Sequence, residues 1–181
     1  QQAPVLGSLI DPKAVGGDLF SAGFPSIARL LDLALERESD DAKVELTVAA
    51  QGVAAAAALL VREFTLVVTN VPYLGRGDQD PELAHYCERR YPRGKADLAT
   101  CFIERALTLT IPGGTVAVVA PQNWLFLKSY KAFREHLLRT SSFRSLVRLG
   151  EHGFESSQAA GAFVALSVLD NAHPRQGATM A

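Results

Sequence analysis

The stretch "LVVTNVPYLG", residues 66–75, decides how the rest of the chain is interpreted. Its first half belongs to "FTLVVTN" (64–70), a continuous apolar run of strand length, which is typical of a strand buried on both faces of a parallel sheet. The run ends on a polar amide, a rigid imide and an aromatic ring, all within Asn70–Tyr73. We therefore expect the chain to leave the sheet here and to present these side chains at the sheet edge.

Alternating strand and helix patterns follow this first strand. Strands are predicted in "TVAVVA" (115–120), "FRSLVRLG" (143–150) and "AGAFVALSVLD" (160–170), and helices in "ELAHYCERR" (82–90), "ADLATCFIERALTLT" (96–110) and "SYKAFREHLLR" (129–139). The expected caps are Asp80, with Pro81 behind it, and Ser129. The inward positions are expected to be Leu98, Cys101, Phe102, Ala106 and Leu109 on the second helix, and Phe133, Leu137 and Leu138 on the third.

This alternation predicts an α/β fold with a mostly parallel sheet and helices on both faces, because parallel strands need crossover connections. The last junction differs, since the ten residues between Gly150 and Gly161 are too few for a crossover helix. The final strand is therefore predicted to run antiparallel. Ligands of such sheets bind beyond the carboxyl ends of the strands, where Asn70–Tyr73 and "PQNW" (121–124) both fall.

The segment before the first strand has a different character. The patterns of "SIARLLDLALERES" (26–39) and of the alanine-rich run 49–61 predict helices, whereas "AKVELTV" (42–48) fits either a strand or a helix. We therefore divide the chain into a mainly helical N-terminal segment (1–63), a motif-bearing half-domain (64–170) and a flexible tail (171–181).

Composition narrows the class of protein. The 181 residues are 48% hydrophobic and 20% charged, and no apolar run approaches the roughly 18 residues of a membrane span. Cys87 and Cys101 have no CxxC spacing, so we expect them to be packing residues rather than part of a disulfide or a zinc site. This use of cysteine is consistent with a reducing cytoplasm. The chain begins at Gln1 rather than Met and has no secretory pattern, which favours a piece of a longer protein.

Charge is nearly balanced at −1, so any contact with nucleic acid needs a local basic patch. Residues 128–148 carry six basic side chains and one acidic side chain. Lys128, Lys131 and Arg134 are the candidates for contacts with phosphate. The more ordinary explanation of the same charges is a helix face exposed to solvent.

The residues Asn70, Val71, Pro72 and Tyr73 suit a particular chemistry. The amine of a nucleobase is a poor nucleophile because its lone pair is delocalised into the ring. Two acceptors on its hydrogens localise that pair, and the Asn70 side-chain oxygen and the Val71 carbonyl are one residue apart. Pro72 biases Val71 towards an extended conformation, and the Tyr73 ring offers a face for an extruded base.

At these residues the chain resembles the DNA amino-methyltransferases that use S-adenosylmethionine and carry an Asn-Pro-Pro-Tyr motif. The resemblance is closest to the adenine methyltransferases of bacterial restriction and phage-defence systems, the type IIG and PglX-like enzymes. It extends over Phe64–Leu169 and includes, in order, the motif, the Asp-Leu helix, "PGG", "PQNWL" and "GEHGF". It implies a partial Rossmann-like class I methyltransferase fold that acts on duplex DNA.

The resemblance also implies roles for individual residues. Asn70 and the Val71 carbonyl receive the target amine, and Tyr73 and Phe154 stack on the two faces of the adenine. Phe102 and Asp97 lie beside the cofactor. Core packing is the alternative for Phe102 and Phe154. No metal is implied.

Two departures from the family pattern qualify these expectations. Val71 replaces the usual proline, so the acceptor carbonyl survives but its backbone is less restrained. Residues 1–63 also lack the glycine-rich cofactor loop after a strand, and "AVGGDLF" (14–20) fits a turn better. We therefore expect a cofactor-binding half upstream and a target-recognition domain downstream in a parent chain, and an inactive fragment by itself.

Two other classes of enzyme share some of these features but lack their own motifs in this sequence. A doubly wound dehydrogenase needs its own glycine fingerprint, and none is present. No HExxH or GxSxG motif supports a hydrolase. The alternative that stays open is a non-catalytic, degenerate methyltransferase-like module that binds DNA or a partner.

Overall fold

The computed structural model describes residues 6–13, 41–149 and 163–175, and the chain forms two compact units, Gln1–Arg62 and Glu63–Ala181. The first unit contains a 3-10 turn, Gly7–Leu9, and helix α1, Asp41–Leu60. The ambiguous segment 42–48 is thus helical, because it continues into the alanine-rich run of high helix propensity. The helix predicted at 26–39 and the turn at 14–20 lie outside the described residues.

The second unit is built on a four-stranded sheet. Its elements are β1 (Phe64–Asn70), α2 (Pro81–Arg90), α3 (Leu98–Thr108), β2 (Thr110–Pro121), α4 (Lys131–Thr140), β3 (Ser142–Arg148) and β4 (Val164–Asp170). The strand order is β1-β2-β4-β3, in which β1 and β2 are parallel and β4 runs antiparallel to both of its neighbours. The mixed α/β fold and the reversed final strand are confirmed, and β4 lies between β2 and β3.

One face of the sheet carries the hydrophobic core. Val116, Val118 and Ala120 alternate along β2 and are at most 3% exposed. Ile103 of α3 and Phe133 of α4, both fully buried, belong to the same cluster. Both helices therefore pack on this face, and the prediction of helices on two faces is met on one of them in the described part of the chain.

The first strand differs from its prediction. β1 is the terminal strand of the described sheet, and the side chains of Leu66 and Val68 are 55% and 70% exposed. Val67, between them, packs against the core. The expectation of burial on both faces was wrong here, because an apolar run reports hydrophobicity but not whether a neighbour covers the second face.

The helices of the second unit follow local sequence signals, with one correction to a helix boundary and one to a buried face. Asp80 caps α2 through the N–H groups of Glu82 and Leu83, with Pro81 at the first helical position, as predicted. Ser129 does not cap α4, because it lies within a 3-10 turn (Lys128–Tyr130) that runs into the helix. Leu138 was expected inside but is 54% exposed. The face of α4 that packs on the sheet is thus narrower than the sequence predicts.

The "PGG" segment (112–114), which follows α3, forms a tight turn near the start of β2. Gly113 has φ of +79°, a conformation that favours glycine. The N–H of Gly113 donates to the carbonyl of Asn171, and the Asn171 N–H returns a bond to Gly114, each at 2.8 Å. The Asn171 side chain also donates to the Thr110 carbonyl at 2.7 Å. This first residue of the predicted tail is therefore anchored to the sheet.

No helix in residues 6–13, 41–149 or 163–175 is both long enough and apolar enough to cross a membrane.

Replacement of Ser167 by alanine tests the core. Ser167 is 1% exposed and faces Val118, and its hydroxyl has no hydrogen-bond partner in the described part of the chain. Because a buried unsatisfied hydroxyl is destabilising, Ser167→Ala should raise the free energy of unfolding by about 1 kcal/mol, measured by urea denaturation. Thr110→Val is the matched control, since the buried Thr110 hydroxyl donates to the Ala106 carbonyl at 2.7 Å and its loss should be destabilising. The same sign for both variants would contradict the prediction.

Candidate functional site

The polar end of β1 lies at the carboxyl edge of the sheet, as the sequence predicts. Asn70 is the last residue of β1, its Cα pairs with that of Val119 on β2, and its side chain is exposed. Tyr73, three residues on, is 36% exposed. Its hydroxyl donates a hydrogen bond to Oδ1 of Asn70 at 3.2 Å. The side-chain amide and the phenol ring therefore form one solvent-facing group.

Val71 is held in a different way from its neighbours. It is 3% exposed and belongs to the main core cluster, and its N–H donates to the Val119 carbonyl at 3.4 Å. Pro72, which follows it, is exposed. Burial and strand pairing thus supply part of the backbone restraint that a proline ring would give at position 71.

The ionisation state of Tyr73 fixes its role as a donor. Partial burial raises the pKa of the Tyr73 phenol above its ordinary value. At neutral pH the hydroxyl is therefore protonated and able to donate. Oδ1 of Asn70 accepts the hydrogen bond from this hydroxyl.

Asp97 is the residue that precedes α3, and its carboxylate lies partly out of water. Desolvation raises the pKa of Asp97, while hydrogen bonds from the backbone N–H groups of Ala99 and Leu74 oppose that rise. The bond from Ala99 is 2.8 Å long and caps the helix. Asp97 also lines a small crevice, with an empty volume of about 160 Å³, together with Trp124 and Tyr130. Burial raises the pKa of Tyr130 too, and Asp97 and Cys101 raise it further.

The aromatic residues predicted to be functional lie in different surroundings. Phe102 is half-buried and packs against the core cluster, in agreement with the packing alternative. Ile103 beside it is fully buried, so the inward face of α3 is wider than predicted. Trp124 is core, with its ring edge-on to Phe133 at a centroid distance of 5.6 Å. Phe154 lies outside the described residues.

The three basic candidates do not form one uniform surface. Nη1 of Arg134 donates to the carbonyls of Trp124 and Leu127, at 2.7 and 2.8 Å, so this side chain holds the loop after β2. Lys131 lies 3.8 Å from Glu135, with both side chains largely exposed, and Lys128 is exposed. No sequence pattern indicates this role of Arg134, because its partners are main-chain carbonyls in the preceding loop.

Neither cysteine is placed for chemistry. Cys87 and Cys101 are both fully buried and both free, in agreement with packing roles. Among the described residues, no group of three or more His, Cys, Asp or Glu side chains is arranged to hold a metal ion.

Comparison with known proteins identifies the family. A model of the Eco57I restriction-modification methylase family matches residues 28–154. The chain belongs to this family. Membership confirms the resemblance drawn from the order of motifs between Phe64 and Leu169.

Two curated relatives of this Eco57I-type methylase chain carry descriptive names. It is 39% identical over 98 residues to the adenine-specific methyltransferase PglX of Lacticaseibacillus casei (strain Zhang). It is 33% identical over 96 residues to the adenine-specific methyltransferase BrxX of Escherichia coli O9:H4 (strain HS). Each match covers 53% of this chain but only 8% of the relative.

A solved structure supports the fold. The nuclease-deletion mutant of the Type ISP restriction-modification enzyme LlaGI, solved in complex with a DNA substrate mimic, superposes with a TM-score of 0.51 at 14% identity. The match covers 80% of this chain and 16% of that one. It shows a shared fold for this part of the Eco57I-type chain.

Truncation of Val71 tests whether packing holds the motif. Val71→Ala removes two methyl groups from a site that is 3% exposed, so the free energy of unfolding should fall by about 2 kcal/mol in urea denaturation. Val68→Ala is the matched control, because Val68 is on the preceding strand and 70% exposed, and it should change stability by less than about 0.5 kcal/mol. Equal losses in the two variants would show that Val71 is not anchored as described.

Proposed function

We propose that this chain is the motif-bearing part of a DNA methyltransferase, which transfers a methyl group from S-adenosylmethionine to the exocyclic amine of adenine in duplex DNA. The parent protein would serve a restriction-modification or phage-defence system. The observation that carries the proposal is the exposed Asn70 and Tyr73 pair at the carboxyl end of β1, in a chain of the Eco57I methylase family. The names of the two curated relatives support adenine as the target.

The proposed chemistry rests on two oxygen acceptors. Oδ1 of Asn70 and the main-chain carbonyl of Val71 would receive the two hydrogens of the adenine amine. These bonds strengthen as the amine nitrogen gains positive charge during attack, which is the differential stabilisation that lowers a barrier. No general base is needed to prepare the amine, because the acceptors localise its lone pair.

The bond between Tyr73 and Asn70 suggests how the site is prepared. The phenol hydroxyl donates to the same amide oxygen that the target amine would use. The adenine amine would therefore replace the phenol hydroxyl as the donor to Oδ1 of Asn70. The bond to Tyr73 would keep this oxygen turned towards the position of the base. The Tyr73 ring would then stack on the extruded base, an interaction of roughly 1 to 3 kcal/mol.

The described residues do not fit a complete cofactor site. The crevice beside Asp97 has essentially no enclosed volume, whereas ligand pockets hold roughly 300 to 1,000 Å³. Phe102 packs on the core, and no glycine-rich loop follows a strand in residues 41–149. We infer that S-adenosylmethionine is bound mainly by an upstream half of the parent chain. In the described part of the chain β1 has a neighbouring strand on one side only, which supports a sheet that continues at its other edge. The exposed Leu66 and Val68 support a further layer over their face of the sheet.

Contacts with DNA would come from the same edge of the sheet. Lys128 and Lys131 are exposed and suited to phosphate contacts, whereas Arg134 is engaged with main-chain carbonyls and would act through the loop it holds. A target-recognition domain downstream would supply the sequence specificity.

Loss of the amide tests the catalytic assignment. In the full-length protein, Asn70→Ala should lower methyl transfer to duplex DNA at least 100-fold, because one of two transition-state acceptors is lost. Binding of S-adenosylmethionine, measured by calorimetry, should stay within two-fold of the wild type. Methylation near the wild-type rate would remove Asn70 from the mechanism.

A titration tests the location of the cofactor site. The 181-residue chain alone should bind S-adenosylmethionine no more tightly than millimolar in calorimetry, since the crevice beside Asp97 has essentially no enclosed volume and no glycine-rich loop follows a strand in residues 41–149. Micromolar binding would overturn the inference of an upstream half. A full-length protein that binds DNA but transfers no methyl group would favour the non-catalytic module instead.

A further inference from the structure

The loop that follows the motif is closed by a buried side-chain amide. Gln79 is 9% exposed, and its Nε2 donates a hydrogen bond to the carbonyl of Leu74 at 3.1 Å. The same carbonyl accepts a hydrogen bond from the N–H of Leu98 at 2.9 Å. Because hydrogen bonds are directional, two donors restrain the orientation of a carbonyl more than one donor does. Leu74 directly follows Tyr73, so the restrained peptide lies at the end of the motif.

The backbone of Gln79 is fixed on both of its sides. Gln79 directly follows the 3-10 turn Arg76–Asp78, in which the Asp78 N–H donates to the Gly75 carbonyl at 3.0 Å. It directly precedes Asp80, whose side chain caps α2. The donor amide is thus carried by a short segment that is hydrogen-bonded at each end.

Arg76 attaches the same loop to the elements around it. Its Nη1 donates to the Ala84 carbonyl at 3.1 Å, and its Nη2 lies 2.8 Å from Oε2 of Glu88. Lys95 lies 2.6 Å from the other oxygen of Glu88. The main-chain N–H of Arg76 donates to the Ala96 carbonyl at 3.1 Å. The loop is therefore tied to α2 and to the segment before α3, which gives the Gln79 side chain a fixed base.

The opposite end of the motif is held by strand pairing. Val71 is buried in the core, and its N–H donates to the Val119 carbonyl at 3.4 Å. Only Pro72 and Tyr73 lie between Val71 and Leu74. The directions of the Val71 carbonyl and of the Tyr73 ring thus depend on one anchor at β2 and on a second at the restrained carbonyl of Leu74.

The second polar atom of the Gln79 side chain adds nothing to the stability of the fold. Oε1 of Gln79 is buried and has no hydrogen-bond partner in the part of the chain that the structure describes. The cost of an unsatisfied buried acceptor is at least as large as the net gain from one hydrogen bond. Folding stability alone therefore does not favour an amide at position 79, whereas the bond to Leu74 requires one.

We propose that Gln79 is a positioning residue, whose side-chain amide orients the Leu74 carbonyl so that the Val71 carbonyl and the Tyr73 ring are presented to the target base. This inference rests on the proposed function and assigns a role in the chemical step to a residue outside the motif. A displacement of about 1 Å in a positioning group costs on the order of 100-fold in rate. A partial loss of orientation should therefore slow methyl transfer measurably.

Two near-isosteric substitutions test this role. Gln79→Met keeps an unbranched side chain of similar length, but it removes the N–H donor and the unsatisfied oxygen. Thr110→Val is the matched control, because it also removes a buried donor to a main-chain carbonyl, that of Ala106 at 2.7 Å. Thr110 is the first residue of β2, at the opposite end of that strand from the partner of Asn70.

The first measurement is hydrogen exchange by mass spectrometry on the full-length protein, which needs no catalytic activity. Peptides within residues 74–79 should exchange at least three-fold faster in Gln79→Met, while peptides from α4 should change less than two-fold. Thr110→Val should leave exchange at residues 74–79 within two-fold of the wild type. A smaller effect of Gln79→Met at residues 74–79, or an equal acceleration in α4, would overturn the proposal.

The second measurement is the rate of methyl transfer to duplex DNA in a single turnover, because product release often limits steady-state turnover. With full-length protein in excess and saturating S-adenosylmethionine, Gln79→Met should lower this rate at least five-fold, and Thr110→Val should stay within two-fold of the wild type. The Kd for S-adenosylmethionine should stay within two-fold in both variants. A smaller fall in the rate of Gln79→Met, or a weaker affinity for the cofactor at an unchanged rate, would contradict the positioning role.

The two measurements distinguish the failure of this inference from the failure of the proposed function. If the wild type transfers no methyl group, the proposed function fails and the catalytic role of Gln79 fails with it. Faster exchange at residues 74–79 would still show that Gln79 restrains the loop. If the wild type is active and Gln79→Met transfers methyl groups at the same rate, the proposed function stands and Gln79 is not a positioning residue.

Discussion

The parallel pairing of β1 with β2 is the constraint on which the rest of the structure depends. Thr69 pairs with Val118 and Asn70 with Val119, so the end of the first strand is fixed beside a strand whose inner face is the core. Hydrogen bonds along a strand leave no freedom to shift by one residue, since a shift would turn every side chain to the opposite face. Asn70 consequently faces solvent while Val71 enters the core.

That constraint explains how a short exposed motif stays ordered at the edge of a sheet. Side chains contribute to the order of the loop, through the bond between Tyr73 and Asn70 and the bond from Gln79 to the Leu74 carbonyl. Main-chain hydrogen bonds also hold the loop, to β2 on one side and to the start of α3 on the other. Main-chain contacts do not depend on the identity of the loop residues, which explains why valine is accommodated at position 71.

Particular residues show how far sequence patterns extend. The prediction of β1 at Phe64–Asn70 was correct, because a β-branched run that ends at Asn and Pro is typical of a strand. The cap at Asp80 and the reversed β4 were also confirmed, since both follow from local chemistry or from the length of a connection. Leu138 was misplaced, because helical periodicity does not set the width of the face that packs on the sheet. Ser129 was misplaced as a cap, because a 3-10 turn precedes α4.

The sequence by itself determined the order of strands and helices, the abrupt end of β1 on Asn70 and the family to which those motifs belong. These properties depend on hydrophobic period, on proline and glycine geometry and on the spacing along the chain. Only the tertiary structure decided that Tyr73 donates to Asn70, that Arg134 turns towards the carbonyls of Trp124 and Leu127, and that Asp97 pairs with Gly75. Each of these contacts depends on where a residue meets a partner outside its own local pattern, and that meeting is fixed by the fold of the sheet and its helices.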